Sequence, residues 1–440
     1  SAAAGMPPGR GYRVLVGSAI VLGLAVILFA LLNGELFRPV RESIEAGNLN
    51  AFLLKPSLIW VAMGLLMLVV RTLLWFLYRP FNSATFESAP AMTVVIPAYN
   101  EGSMVEQSIE SVAAARYPRG RLEILVVDDG STDDTWTYIQ RAAARHEGLV
   151  TAVKLERNQG KRVALATGFR AARGEILVTI DSDSVIEPGA LLAMAGPFRD
   201  PRVGAVAGKV AAFNRDRGII PRMLHVRYVL SFDFQRSVQS TYRTVYCCPG
   251  ALAAYRASVV REILEPWLAQ RFLGARCTYG EDRALTNDIL DRGFDTVYQG
   301  SAVVHTLVPD TYAKLCRMYL RWDRSYVREE LRFARIVWKR PLVPMVFALI
   351  EKLITNLRFP VAWTAMAMLA VIAVSDPMAL VRVLLAIGVG AGFYMLYYVY
   401  TERSMRFVHG ILYAYFAFFS LWWIFPYAVL TVRSRSWMTR

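Results

Sequence analysis

The chain has 440 residues, of which 55% are hydrophobic and only 19% charged, with a mean hydropathy of +0.34. So large an apolar share excludes an ordinary soluble domain and calls for lipid contact or an unusually large core. The net charge of +15 points to anionic partners such as anionic lipid or a diphosphate. The basic residues are not gathered in one arm or helix, which argues against nucleic acid.

The length suits two or three domains. Ser1–Gly5, ahead of Met6, reads as a non-native extension. Val14–Leu32 carries no charge and follows Arg10 and Arg13, the pattern of one bilayer crossing. A second crossing is expected over Ser57–Tyr78, with Arg71 near its end and Arg79 after it. Residues 1–80 are therefore expected to hold two transmembrane helices.

Residues 90–308 are globular in character. Thr93–Pro97, Glu123–Val127, Thr151–Leu155 and Glu175–Ile180 read as buried strands bounded by turn signals. Ser103–Ala115, Asp133–His146 and Lys161–Ala172 between them read as helices. This alternation predicts a parallel sheet with ligands at the carboxyl ends of its strands. Polar clusters fall at those ends: Pro97–Glu101 after the first strand and Asp128–Ser131 after the second. Ser131 and Asp133 would equally serve as helix caps. After the fourth strand, Asp181 and Asp183 are two apart, so on an extended backbone they point the same way. Two such carboxylates favour a hard cation, Mg²⁺ or Mn²⁺, which would offset the charge of a diphosphate. Gln159-Gly160-Lys161-Arg162 opens a helix and reads either as a phosphate cradle or as a capped surface helix. Gly280-Glu281-Asp282 stands before a helix over Arg283–Leu290, where acidic residues favour the start through the macrodipole. Cys247, Cys248, Cys277 and Cys316 match no CxxC spacing and read as reduced thiols of a cytosolic setting.

From Tyr312 to Leu357, apolar and basic residues interleave at helical spacing. Arg317, Arg321, Arg324, Arg328, Arg332 and Arg335 run beside Leu320, Val327, Leu331 and Ile336, as in an interfacial amphipathic helix or the exposed face of a soluble one. Residues 309–357 are expected to form this region and 358–440 the C-terminal transmembrane part. Its candidate spans are Phe359–Val374, Met378–Tyr400 and Phe407–Val432. Three crossings would leave the basic tail Arg433–Arg440 outside, against the positive-inside rule. Either the Pro426-broken last segment is not a full crossing, or Met345–Leu357 joins a span.

Taken in order, Pro97-Ala98-Tyr99-Asn100-Glu101, Val127-Asp128-Asp129-Gly130, Gly160-Lys161-Arg162, Asp181-Ser182-Asp183, Gly280-Glu281-Asp282 and Arg321-Trp322 resemble family 2 glycosyltransferases. Within them the likeness is to membrane synthases of the hyaluronan and nodulation-type chitooligosaccharide groups, over Met92–Glu329. Cys247–Ala251 with Tyr255-Arg256, Val308–Thr311, Trp322–Glu329 and Trp437–Arg440 resemble those groups too. The resemblance implies an α/β GT-A-like cytosolic domain inserted between N- and C-terminal transmembrane helices, with amphipathic interfacial helices. It implies inverting transfer of N-acetylglucosamine and/or glucuronate from a UDP-sugar to a growing β-linked polysaccharide, with export through an integral plasma-membrane enzyme. Tyr99 and Glu101 would contact uracil, and Asp128 or Asp129 the base or ribose. Lys161 and Arg321 would bind diphosphate, while Asp183 and Asp181 hold the metal. Asp282 would be the general base. Glu281 would raise its pKa or cap the helix. Trp322, Cys248 and Gly250 would face the acceptor. The alternative is transfer of one sugar to a polyprenyl-phosphate carrier. One departure stands out: the family's Gln-x-x-Arg-Trp reads Met318-Tyr319-Leu320-Arg321-Trp322. Met forms no strong hydrogen bond, so whatever that Gln positions must be held otherwise.

Overall fold

The computed structural model describes Glu42 and residues 56–375 and 377–434. The expected span Val14–Leu32 and the tail motif Trp437–Arg440 lie outside the described residues. The second expected apolar segment forms helix α1 (Pro56–Leu77).

The alternating stretch folds as β1 (Met92–Ala98), α2 (Met104–Ala113), β2 (Leu122–Asp128), α3 (Thr135–Arg145), β3 (Val150–Lys154), α4 (Lys161–Ala171) and β4 (Ile176–Thr179). Each lies within a few residues of its expected place. β1 is buried from end to end because helices cover both faces of the sheet, which explains its run of Val and Ile. The chain continues through β5 (Ser184–Ile186), α5 (Ala190–Ala195), β6 (Val203–Ala212) and α6 (Ile219–Tyr228). A π-helical stretch, Val229–Phe234, joins α6 to α7 (Gln235–Thr241). Then come β7 (Ala253–Arg256), α8 (Ala257–Leu268), the hairpin β8 (Arg271–Phe272) and β9 (Ala275–Arg276), α9 (Glu281–Asp291) and β10 (Asp295–Thr306).

The main sheet has eight strands in the order β3-β2-β1-β4-β7-β6-β10-β5. It is mixed rather than parallel, because β7 runs antiparallel to both β4 and β6, and β5 antiparallel to β10. The physical reason lies in the approach of the chain. A Cβ on Gly250 would come 3.3 Å from Asp181 Oδ1, so the chain reaches β7 at the end where β4 finishes and must run back along it.

The remaining helices are α10 (Tyr312–Ile336), α11 (Leu342–Ser375), α12 (Met378–Glu402), α13 (Phe407–Ser420) and α14 (Ile424–Leu430). The basic stripe of α10 turns inward in its middle instead of lying on a surface. Arg324 and Arg328 are buried: Arg324 Nη2 donates to Thr431 Oγ1 at 2.9 Å and Arg328 Nη2 to the Tyr279 carbonyl at 2.7 Å. Arg332 pairs with Asp288 and, at 3.0 Å, with Glu329. These bonds clamp α10 between α9 and the chain end, which a periodicity reading takes for lipid headgroup contacts. The expected boundary at residues 357 and 358 is crossed by α11 without interruption. The expected span Phe407–Val432 is two helices, α13 and α14, meeting at a 50° bend. Pro426 falls in the first turn of α14, where its missing N–H has no helical partner to lose. Among the described residues, Val383–Glu402 is long and apolar enough to cross a membrane, and α13 with α14 pass the same test as a pair.

Candidate active site

The register pairs Ala98 of β1 with Asp128 of β2, so the two polar turns leave the sheet side by side. Asn100 takes a left-handed φ of 53° and its Oδ1 accepts from Thr132 N at 2.9 Å. The backbone N–H groups of Glu101 and Gly102 both donate to Thr135 Oγ1 at 2.8 Å. Asn100, Glu101 and Gly102 are thus pinned against the start of α3. Asp128 is buried, with Oδ1 accepting from Ser131 N at 3.2 Å and from its hydroxyl, while Oδ2 has no partner among the described residues. Asp129 uses both carboxylate oxygens, accepting from Gln159 N and Gly160 N at 2.8 Å each. Burial pushes its carboxyl up, against the pull of those two donors. The pair is therefore split: Asp129 shapes the turn before α4, and Asp128 has one buried carboxylate oxygen without a partner among the described residues.

That turn delivers Lys161 to the centre of the site. Its Nζ contacts Asp181 Oδ1 and lies 3.3 Å from Glu281 Oε1. Burial works against the charged ammonium, but Asp181 and Glu281 outweigh it and hold Lys161 above the ordinary lysine range. Glu281 and Asp282 form the first turn of α9 rather than preceding it, with Gly280 in the left-handed region at φ 72°. Burial alone would raise Glu281, yet Lys161 holds it below the usual carboxylate range. Asp282 is raised by burial and then by the Glu281 charge. The two adjacent carboxylates are driven apart, one ionised beside a lysine and one with stronger affinity for a proton.

Gly250 closes the site: a Cβ there would sit 2.9 Å from Lys161 Nζ. Cys248, expected at the acceptor side, is fully buried. Its side chain packs in the core with Val95 and Leu177, and its N–H donates to Thr286 Oγ1 at 3.0 Å. Cys247 reaches the site instead, its Sγ donating to Asp282 Oδ2 at 3.5 Å. Asp183 is buried, and its Oδ1 accepts from Ser184 Oγ at 3.1 Å and Thr306 Oγ1 at 3.2 Å. Among the described residues no three His, Cys, Asp or Glu side chains converge as a metal cage.

Trp322 remains 37% exposed within an aromatic group, its ring 5.8 Å from Tyr319, 6.3 Å from Tyr228 and 6.4 Å from Phe232. Tyr228 also lies within electrostatic reach of Arg321 and Asp181, so it bridges the aromatic group and the charged centre. Its hydroxyl donates to Met318 Sδ at 3.8 Å, the weak contact available where the family has Gln. Sequence reading passes over both Cys247 and Tyr228. The neighbour of a motif cysteine carried a signal; a tyrosine ending a helix of mixed apolar and basic residues carried none.

A glycosyl transferase family 2 model matches residues 93–264. An N-acetylglucosaminyltransferase from Azorhizobium caulinodans is 37% identical over 248 residues, 56% of this chain and 62% of that protein. A hyaluronan synthase from Streptococcus pyogenes is 34% identical over 283 residues, 63% of this chain and 66% of that protein. The chain thus spans under two thirds of the length of these relatives. It spans 82% of an N-acetylglucosaminyltransferase from Mesorhizobium japonicum, at 30% identity over 80% of itself. In fold it is similar to a mannosyltransferase from Pyrobaculum calidifontis solved with GDP-Man and Mn²⁺. The TM-score is 0.57 and the identity 24%, covering 81% of this chain and 98% of that one. With the mixed sheet and the charged centre at its strand ends, these likenesses settle the ancestry: the chain belongs to glycosyl transferase family 2.

Proposed function

We propose that the protein transfers N-acetylglucosamine and/or glucuronate, with inversion, from a UDP-sugar to a growing β-linked polysaccharide, and exports the product across the membrane that holds it. The observation that carries this reading is the arrangement around Lys161. A cation, an ionised Glu281 and an Asp282 of raised proton affinity meet at the strand ends, beside an exposed tryptophan on an aromatic platform. The relatives named N-acetylglucosaminyltransferase and hyaluronan synthase support the sugar class.

In this mechanism Tyr99, Glu101 and the open oxygen of Asp128 hold the nucleoside, with Asp129 positioning the turn that carries Lys161. Lys161 and Arg321 neutralise the diphosphate. Asp181 and Asp183 are the carboxylates that would hold Mg²⁺ or Mn²⁺, both hard cations suited to carboxylate oxygens. Such an ion would stabilise the charge of the departing diphosphate. Asp282 accepts the proton of the acceptor hydroxyl as that oxygen attacks the anomeric carbon. Trp322 supplies an apolar face for the acceptor ring. Helices α1, α12 and the α13–α14 pair anchor the enzyme in the bilayer, with the catalytic domain on the cytosolic side.

The test is Asp282→Asn in nanodisc-held protein. Transfer should fall by roughly 10²–10⁴ while UDP-sugar binding persists. A variant that transfers at the wild-type rate would remove Asp282 from the base role.

A further inference from the structure

The two carboxylate oxygens of Asp282 stand in different settings. Oδ1 accepts from the backbone N–H of Arg283 at 2.7 Å, a bond within the first turn of α9. Oδ2, the oxygen left for chemistry, meets the Cys247 thiol, which donates to it at 3.5 Å. No motif gives Cys247 a part in the reaction, and the residue is half-buried beside the base.

The backbone that carries the thiol fixes its place. Arg236 Nε of α7 donates to the Cys247 carbonyl at 3.1 Å, and Arg236 Nη1 to the Ser231 carbonyl in the π-helical stretch at 3.0 Å. One residue on, the Cys248 N–H donates to Thr286 Oγ1 at 3.0 Å, and that hydroxyl donates to the Asp282 carbonyl at 2.8 Å. Gly250 then brings the loop against Lys161. The segment is tied to α9 at the base itself, so moving the thiol away from Asp282 breaks bonds to α7 or α9.

The charges around the base favour a weak donor at this point. Glu281 and Arg283 of α9, Lys161 of α4 and Cys247 face the Asp282 carboxylate. Burial and then Glu281 raise its proton affinity, while Lys161 and Arg283 pull it down. Burial keeps the Cys248 thiol and the Tyr255 hydroxyl, behind Cys247, protonated and neutral. Burial and the Asp282 charge push the Cys247 thiol up to about 12, against Arg283 and Arg236, so it remains a donor through the neutral range. A stronger donor in its place would favour the ionised carboxylate and weaken the base. An S–H donates weakly, so it orients Oδ2 at little cost in basicity. Each carboxylate oxygen has two lone pairs, and the thiol leaves one on Oδ2 for the acceptor proton.

We propose that Cys247 is a positioning residue for the general base: its thiol holds Asp282 Oδ2 in the orientation that takes the proton of the acceptor hydroxyl. The inference rests on the proposed base role of Asp282 and extends it to the residue that aims it.

UDP release from UDP-N-acetylglucosamine, with and without UDP-glucuronate, is followed against pH on the full chain in nanodiscs with Mn²⁺. Cys247→Ala removes a donor to the ionised carboxylate, so the inflection of kcat/KM should move up by about 0.5–1 pH unit. The plateau should fall about two- to tenfold. Cys247→Ser retains a donor and should keep the inflection at or below its wild-type position. Cys248→Ala, which loosens the same loop in the core, should lower the unfolding temperature and leave the inflection in place. An unmoved inflection in Cys247→Ala, an upward move in Cys247→Ser, or an equal move in Cys248→Ala would overturn the inference. A wild type without turnover defeats the proposed function, and full activity in Asp282→Asn defeats the base role. Turnover that Asp282→Asn abolishes, with the Cys247→Ala profile unmoved, defeats the thiol alone.

Discussion

Gly280 precedes α9 at φ 72°, and α10 packs directly against it. A Cβ at this position would overlap Ser325 Oγ and lie 2.6 Å from Ser325 Cβ and 2.8 Å from Arg328 Nη2. Gly280→Ala therefore meets two penalties. The left-handed backbone disfavours an L side chain by about 1–2 kcal/mol. Overpacking of a filled contact adds about 1–3 kcal/mol. Together they reach about 2–5 kcal/mol, and the way to relieve the second is to move α10 away from α9. That motion carries Arg321 and Trp322 away from Asp282, and a displacement of about 1 Å lowers rates by about 10²-fold. Thermal unfolding and the rate of UDP release are measured on Gly280→Ala and on Gly280→Ala/Ser325→Gly. The double variant removes the collision with Ser325, leaves only the flexible Arg328 guanidinium to shift, and keeps the backbone strain, so it should regain most of the rate and only part of the stability. Wild-type rate and unfolding temperature in Gly280→Ala would refute the claim that this contact sets the distance between base and acceptor platform.

As the proposed general base, Asp282 must be unprotonated, and its proton affinity is raised, so kcat/KM should climb with pH through an inflection above the ordinary aspartate range. Glu281→Gln removes the neighbouring charge that raises it, and the inflection should move to lower pH; an unmoved profile contradicts the assignment. Chelation should abolish transfer, with recovery on adding Mn²⁺ or Mg²⁺, whereas full activity in excess chelator would exclude the metal role of Asp181 and Asp183. Gly250→Ala places a methyl 2.9 Å from Lys161 Nζ. Because the lysine end is flexible, the expected effect is a raised donor KM with the folded state intact, and an unchanged KM would mean that Lys161 does not meet the donor.

The strand ends that build the site were legible because local chemistry marks them. β1, β2 and β4 are mostly apolar runs that stop at polar turns, and the candidate site lies at those stops. Asp128, Asp129 and Asp181 follow from that pattern, whereas Asp282 was marked by Gly280-Glu281-Asp282 at a helix start. What escaped depends on distant pairing. β6 and β10 carry alanine, glycine and polar residues, and their pairing over Val203–Ala212 and Asp295–Thr306 is a long-range fact. β7 is antiparallel because of where its preceding loop crosses Asp181, which no periodicity records. The arginines of α10 have the same spacing whether they meet headgroups or α9. Which cysteine of the adjacent pair faces Asp282 depends on the twist of the loop into β7, and the sequence reading chose the buried one.

The most direct test of the central claim is the product itself. Nanodisc-held protein is supplied with Mn²⁺ or Mg²⁺ and labelled UDP-N-acetylglucosamine, UDP-glucuronate, or both, and the label is sized. The account predicts saccharide chains many units long, formed without added lipid carrier and lost in Asp282→Asn. Label found only as single sugars on a lipid, and only when a polyprenyl phosphate is supplied, would contradict it.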